Sequence, residues 1–286
     1  MKNIIWLASY PKSGNTMLRI FLSCYFFTEK GFIKNFDFLK NIISINQKSF
    51  LKKLENYEEI INQIKKNPEI IQNYWIKIQH QISEEKKNET FFIKTHNANI
   101  NYNSFDFTNK DFTKYFFYIV RDPRSILISL MSHFEFDSYT ESKQYLLSDN
   151  AITNLNINLP EIILSWRSHY ISWKNFYNHN KNLGQIIKYE DMVNKPEATF
   201  RNILETICEK MKLTFDEKKY QNSLESLNFT KLQKMENEIT FHESVHKNQK
   251  FFRKGIIDEW KSLVPADIIK EIEKEFFTQM KELGYL

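Results

Sequence analysis

Four short clusters in this chain carry side chains suited to anion chemistry. The first, Tyr10-Pro11-Lys12-Ser13-Gly14-Asn15-Thr16, closes an apolar run (Ile4, Ile5, Trp6, Leu7, Ala8) and opens an amphipathic one (Met17, Leu18, Ile20, Phe21, Leu22). That order reads as strand, loop and helix. Unpaired backbone N–H groups at a helix start carry the positive end of the peptide dipoles and stabilise an anion there, with Lys12 beside them. The loop therefore suits a phosphorylated nucleotide. It is not the usual nucleoside-triphosphate cradle, which needs a glycine well before the second one and a lysine directly after it. Here Lys12 precedes the loop's only glycine, Gly14. Such a loop can hold one phosphate and its attached group, but it lacks the length to wrap a β,γ-phosphate pair with magnesium.

The second cluster is Tyr118-Ile119-Val120-Arg121-Asp122-Pro123-Arg124, followed by a helical stretch to Phe134. An apolar strand delivers Arg121 at its end, Asp122 can cap the new helix and Pro123 suits its first position. Ser129 lies two turns further in. A guanidinium fork fits a phosphate bidentately, so Arg121 reads as a phosphate ligand, or else as half of an ion pair with Asp122 or Asp191. Third comes Phe91-Phe92-Ile93-Lys94-Thr95-His96, where strand alternation puts Lys94 and His96 on one face. A histidine there can take a proton from an attacking hydroxyl or amine, or it can be an ordinary structural histidine. The fourth is Phe251-Phe252-Arg253-Lys254-Gly255-Ile256-Ile257-Asp258-Glu259-Trp260-Lys261, two cations before a glycine that allows close backbone approach, or a solvated charge cluster.

These clusters need a scaffold that brings strand ends together. Apolar runs at residues 4–10, 91–95, 115–120 and 186–189 alternate with helical stretches, which implies a parallel sheet in an α/β fold. Ligands of such sheets sit outside the carboxyl ends of the strands, where Lys12, His96 and Arg121 fall. Helices are expected at 123–134, 160–176, 196–211 and 265–283, each with a proline at or near its start. From about 36 to 86 the pattern is helical and broken at Asn67-Pro68, an insertion before the second strand that reads as a lid, an acceptor-side wall or a plain helical cap. Residues 237–249 hold no steady period and read as a loop.

At 286 residues, with 42% hydrophobic side chains, 25 Phe, 14 Tyr and 5 Trp, the chain suits one large α/β domain spanning its whole length. A net charge of +5 favours anionic ligands but falls short of the basic stripe of a nucleic-acid binder. The two cysteines, Cys24 and Cys208, sit in helical patterns and read as buried small hydrophobes. No apolar run reaches the roughly 18 residues of a membrane span, and Ser9 to Ser13 interrupt the first one before a signal core is complete, so a cytoplasmic protein is expected. Trp75, Trp166 and Trp173 suit either a core or an acceptor pocket.

Together the four clusters and Tyr189-Glu190-Asp191, in this order and spacing, resemble the sulfotransferase family that uses 3′-phosphoadenosine 5′-phosphosulfate, most closely its soluble cytosolic branch. The resemblance spans nearly the whole chain. It implies that Lys12, Ser13, Gly14, Asn15 and Thr16 hold the 5′-phosphosulfate and that Arg121, Ser129, Arg253, Lys254 and Gly255 hold the 3′-phosphate. It further implies that Tyr189 and Phe229 approach the adenine and that His96 is the catalytic base, with Lys12 and Lys94 neutralising charge around the sulfonyl group. The family works without a metal, by in-line displacement onto an acceptor, here expected to be a small molecule. Departures are Met17, where the family has a tryptophan stacked on adenine, Asn97 after His96, and Asp258-Glu259 where a glycine and an aspartate are common. A thioether offers a ring less area, so Met17, Tyr189 and Phe229 would share the base.

Three rival readings stand beside this one. A small-molecule or nucleotide kinase also begins with strand, loop and helix, but lacks here the leading glycine and a magnesium-binding aspartate at a strand end. A noncatalytic nucleotide-binding protein would bind the donor without turnover. His242-Glu243-Ser244-Val245-His246 has the spacing of a helical zinc site, in polar surroundings and without an obvious third ligand.

Overall fold

The computed structural model describes residues 2–87, 89–153, 157–238, 251–252 and 255–286. Its strands are β1 (Ile4–Ser9), β2 (Ile43–Ser44), β3 (Phe91–Thr95), β4 (Asn101–Tyr102), β5 (Phe105–Asp106), β6 (Thr113–Val120) and β7 (Gly184–Lys188). Five of them form a parallel sheet in the order β2-β3-β1-β6-β7, while β4 and β5 make a separate antiparallel pair. Every residue of β1 is buried, as a central parallel strand requires. Alternation divides it between two layers. Ile4, Trp6 and Ala8 join one apolar cluster, whereas Ile5 and Leu7 join the other.

Helices cover both faces. On the Ile5/Leu7 side lie α1 (Asn15–Phe27), α8 (Pro196–Met211), α9 (Glu217–Glu225) and α10 (Phe229–Glu238), through Leu18, Phe21, Phe200, Ile203, Tyr220 and Leu232. The opposite face is covered by α2 (Tyr57–Lys66), α3 (Trp75–Glu85), α4 (Pro123–Phe134), α5 (Tyr139–Leu147), α6 (Trp166–His179), α11 (Trp260–Leu263), α12 (Ala266–Glu275) and α13 (Phe277–Glu282). The short α7 (Tyr189–Asn194) follows β7 directly. Trp75, Trp166 and Trp173 are core residues of this second layer, with no more than 1% of their surface exposed.

The register matters most for chemistry. Ala8 lies beside Thr95 on one side and Tyr118 on the other, so Tyr10, His96 and Arg121 leave the same edge of the sheet. The helix expected at 123–134 is capped as its sequence suggests, with an Asp122 carboxylate oxygen accepting from the Arg124 N–H at 2.9 Å.

Four expectations need correction. Within the insertion, residues 43–44 form an edge strand on β3, a pairing set by a distant partner and too short to leave a period. The helix expected at 160–176 begins only at Trp166, where Ser165 accepts from the Ser168 N–H at 3.1 Å. Before it, Ile162 bridges Ile152 and Leu164 adopts a left-handed φ of 64°, so tertiary partners override the proline signal. The helix expected at 265–283 breaks at Phe276, whose ring packs 5.0 Å from that of Trp166. Tyr189 opens α7 and does not end the strand. The expected loop at 237–249 and the His242/His246 pair fall almost wholly outside the described residues, apart from Asn237 and Glu238 at the end of α10. Cys24 and Cys208 are free and buried. Among the described residues no helix is long and apolar enough to cross a membrane.

Candidate active site

The loop after β1 is held by its own backbone. Ser13 N–H donates to the Tyr10 carbonyl at 3.2 Å, Lys12 has a left-handed φ of 66° and Gly14 a φ of 100°. The start of α1 has no side-chain cap, which leaves the dipole end of the helix facing the loop. Asn15 turns inward: its amide donates to the Leu7 carbonyl at 2.9 Å and the Ser9 hydroxyl at 3.3 Å, fastening the helix to β1. Ser13 is fully buried and its hydroxyl has no hydrogen-bond partner among the described residues. A buried, unpaired hydroxyl beside an uncapped helix start is what an anion-binding loop retains for its ligand.

Gly14 has a second reason to be glycine. A β-carbon there would stand 2.4 Å from Cδ2 of Tyr189, so the Tyr189 ring packs directly on the loop backbone. On that ring rests Arg121, its guanidinium carbon 4.2 Å from the ring centroid. One Arg121 nitrogen donates to the Lys12 carbonyl at 2.9 Å, and its Nε has no partner among the described residues. The ion pair raised as an alternative for Arg121 is made by its neighbour. Arg124 is buried against Asp122 (2.7 Å) and Glu273 (2.5 Å), under the Trp260 ring, while Asp191 faces Lys195 at 4.0 Å. Lys12, Gly14, Tyr189 and Arg121 thus form one contiguous group.

The late cluster closes on the same group. The Phe251 ring lies 4.4 Å from the Lys12 ammonium. The Glu236 carboxylate accepts from the Phe251 and Phe252 N–H groups at 2.5 and 3.0 Å, and Gln233 donates to the Phe252 carbonyl at 2.9 Å, fixing this segment on α10. Gly255 has a φ of 67°, and a β-carbon there would meet the Phe229 ring at 3.1 Å. Ser125, in the first turn of α4, donates to the Ile257 carbonyl at 2.6 Å. Met17, Phe229 and Phe251 are partly buried against the cluster that contains Tyr189. Thr16 lies in the first turn of α1 and Ser129 in the second turn of α4, both half-buried. Arg253 and Lys254 lie outside the described residues.

At the end of β3 the chemistry changes. Nδ1 of His96 lies 2.8 Å from the Ser9 carbonyl and 3.2 Å from the Ser9 hydroxyl. A carbonyl only accepts, so Nδ1 carries the hydrogen and the Nε2 lone pair is left free to take a proton. Burial, aided by the nearby Lys94 cation, pushes the His96 pKa well below its ordinary value, so the ring is neutral at physiological pH. The Lys94 ammonium stands 4.0 Å from the buried carboxylate of Glu161. Glu161 also accepts from the His96 N–H at 2.6 Å. Neither of these partners of His96, Ser9 and Glu161, stands out in the sequence as a site residue. The signal for Glu161 was a lone carboxylate in an apolar run (Leu159, Pro160, Ile162, Ile163), masked by reading Pro160 as a helix start.

An uncapped phosphate-sized loop, an arginine stacked on a tyrosine above it and a neutral histidine one strand away suit transfer of an anionic group. The model of the Sulfotransferase domain matches residues 2–284. The chain belongs to the sulfotransferase family. Its fold is that of solved structures at low identity. A mouse sulfotransferase, SULT7A1, complexed with PAP is 17% identical over 98% of this chain and 84% of that one, with a TM-score of 0.60. Retinol dehydratase in complex with androsterone and the inactive cofactor PAP is 18% identical over 98% and 82%, with a TM-score of 0.61, and its complex with retinol and PAP is 19% identical at 0.60. No curated protein matches this sulfotransferase. Membership sets aside the kinase reading, in line with the single-glycine loop.

Proposed function

We propose that this sulfotransferase moves a sulfonyl group from 3′-phosphoadenosine 5′-phosphosulfate to a hydroxyl or amine of a small-molecule acceptor. Lys12, Ser13, Gly14, Asn15 and Thr16 hold the 5′-phosphosulfate, Asn15 through its backbone since its side chain serves β1. Arg121, Ser129, Arg253, Lys254 and Gly255 hold the 3′-phosphate, and Met17, Tyr189 and Phe229 flank the adenine. What supports this division is that two of the buried polar atoms without a partner among the described residues, the Ser13 hydroxyl and Arg121 Nε, lie beside an uncapped helix start. The PAP carried by the similar solved structures agrees with it.

In the reaction the acceptor oxygen or nitrogen attacks sulfur as its proton passes to Nε2 of His96, and the bond from sulfur to the bridging oxygen breaks. Charge grows on that oxygen. Lys12 and the N–H groups at the start of α1 offset it, a preorganised arrangement whose individual donors are each worth roughly 3–4 kcal/mol of barrier. Lys94 balances charge on the acceptor side, and no metal is required. Residues 36–86 form a wall there: Ser44 pairs with Lys94 in the sheet and Asn46 reaches Glu161 at 3.1 Å. Retinol and androsterone, held by a protein of this fold, support an apolar small acceptor, taken here to be a cytoplasmic metabolite.

The observation that carries the reading is the Nδ1 contact of His96 with the Ser9 carbonyl, which frees Nε2 one strand away from the donor loop. Turnover of radiolabelled donor against a metabolite panel tests it, with His96→Ala expected to remove transfer while leaving adenosine 3′,5′-bisphosphate affinity intact. Wild-type turnover in His96→Ala would refute the base. Donor affinity without transfer to any soluble metabolite, glycan or protein would favour the noncatalytic reading.

A further inference from the structure

Glu161 is a carboxylate only 2% exposed. A buried anion is costly unless several donors converge on it, and four do. Oε1 accepts from the His96 N–H at 2.6 Å and lies 3.4 Å from the Thr95 hydroxyl. Oε2 accepts from the Asn46 amide at 3.1 Å and faces the Lys94 ammonium at 4.0 Å. Three of those partners are consecutive residues at the end of β3.

The segment carrying Glu161 is itself clamped. Its N–H donates to the Thr153 hydroxyl at 2.7 Å and its carbonyl accepts from the Thr153 N–H at 3.0 Å. The next residue continues the clasp: Ile162 N–H donates to the Asn97 side chain and its carbonyl accepts from the Ala98 N–H, both at 2.9 Å. From the opposite side, His169 Nε2 donates to the His96 carbonyl at 3.1 Å and the Trp173 indole to the Asn97 carbonyl at 3.0 Å. The turn carrying His96 is therefore held on both sides, and its peptide N–H is held by Glu161.

We propose that Glu161 is a positioning residue for sulfonyl transfer, fixing the His96 peptide so that the imidazole keeps Nδ1 on the Ser9 carbonyl and presents Nε2 to the acceptor, while holding the Lys94 ammonium beside it. This rests on His96 being the base. Without Glu161 the His96 peptide can rotate, the ring leaves the Ser9 carbonyl and the hydrogen redistributes between the two nitrogens. A displacement of about 1 Å in a reacting group costs about 100-fold in rate.

The test uses the full chain labelled with nitrogen-15 in histidine, in which the two imidazole nitrogens of His96 report its tautomer by NMR. The wild type is expected to hold hydrogen on Nδ1 alone. Glu161→Ala is expected to give exchanging tautomers at His96 and about a 100-fold lower kcat, with KM for the acceptor changed less than about threefold and calorimetric affinity for adenosine 3′,5′-bisphosphate unchanged. Glu161→Gln keeps an acceptor oxygen for the His96 N–H and should restore the Nδ1 tautomer and kcat to within about tenfold. Glu161→Asp keeps the charge but falls one methylene short, should behave like Glu161→Ala, and decides the matter if the alanine variant does not fold. An unchanged His96 spectrum and kcat in Glu161→Asp or Glu161→Ala overturns the proposal, as does a kcat loss that tracks thermal stability across the series. The NMR readout does not depend on the base: active His96→Ala would remove that assignment, while the tautomer would still report whether Glu161 sets the ring.

Discussion

Substituting alanine for Gly14 strikes the contact that joins the donor loop to the rest of the site. The added β-carbon would fall 2.4 Å from Cδ2 and 2.8 Å from Cε2 of Tyr189, where ordinary contact begins near 3.4 Å, so the ring must retreat by about 1 Å. The backbone must also hold φ near 100° with a side chain in place, a strain of about 1–2 kcal/mol. Stability should fall by about 2 kcal/mol, or about 5 °C in Tm. The larger consequence concerns Arg121, stacked 4.2 Å above that ring, because a moved ring carries the guanidinium away from the 3′-phosphate we propose it holds. A charge-assisted hydrogen bond is worth about 1.5–3 kcal/mol, so adenosine 3′,5′-bisphosphate should bind about 10- to 100-fold more weakly. Titration calorimetry below the melting range reads this directly. Gly31→Ala is the control: Gly31 has a φ of 83° and its β-carbon would meet the Lys219 carbonyl at 2.5 Å, so it carries comparable strain against a different element. Gly14→Ala binding like the wild type, or Gly31→Ala weakening the nucleotide equally, would refute the reasoning.

Other consequences follow from the same geometry. Lys12→Ala should lower kcat about 100- to 1,000-fold in a radiolabel transfer assay, and retention of a third of the activity would remove Lys12 from the transition state. Neighbouring arginines should separate: Arg124→Ala strands the buried Asp122 and costs about 3–5 kcal/mol by chemical denaturation, whereas Arg121→Ala leaves stability near wild type and abolishes tight nucleotide binding. Acid should destabilise the fold through two buried histidines. Burial holds His96 well below its ordinary pKa and His169 at about 3, so below pH 6.5 the unfolded chain takes up protons that the folded one refuses. His169 then removes about 2 kcal/mol between pH 6.5 and pH 5, His96 acts in the same direction, stability rises again with pH, and His169→Gln should flatten that slope in denaturation curves.

Four strands of the parallel sheet were legible because they carry near-continuous apolar runs, with Lys12, His96 and Arg121 just past the ends of three of them, whereas the two-residue β2 was not. Asp122 and Pro123 named the start of α4 by local chemistry alone. What sequence could not supply is partnership. Whether Arg121 or Arg124 takes Asp122 depends on Glu273 and Trp260, about 150 residues downstream, which capture Arg124. Which nitrogen of His96 holds its hydrogen depends on a backbone carbonyl of β1, a group with no sequence signature. Glu161 has no sequence signature for the same reason: its partners are Thr95 and His96 at the end of β3. Asn15, read as a ligand from its place in the loop, spends its side chain on β1.

The central claim is that the separated basic clusters make one site for a nucleotide phosphorylated at both the 3′ and 5′ positions. Calorimetric titration of the full chain with adenosine 3′,5′-bisphosphate, and separately with ATP and magnesium, tests it most directly. The account predicts tight one-to-one binding of the bisphosphate, lost in Arg121→Ala, with ATP far weaker. Binding of ATP with magnesium in preference to the bisphosphate, or bisphosphate binding indifferent to Arg121, would contradict it.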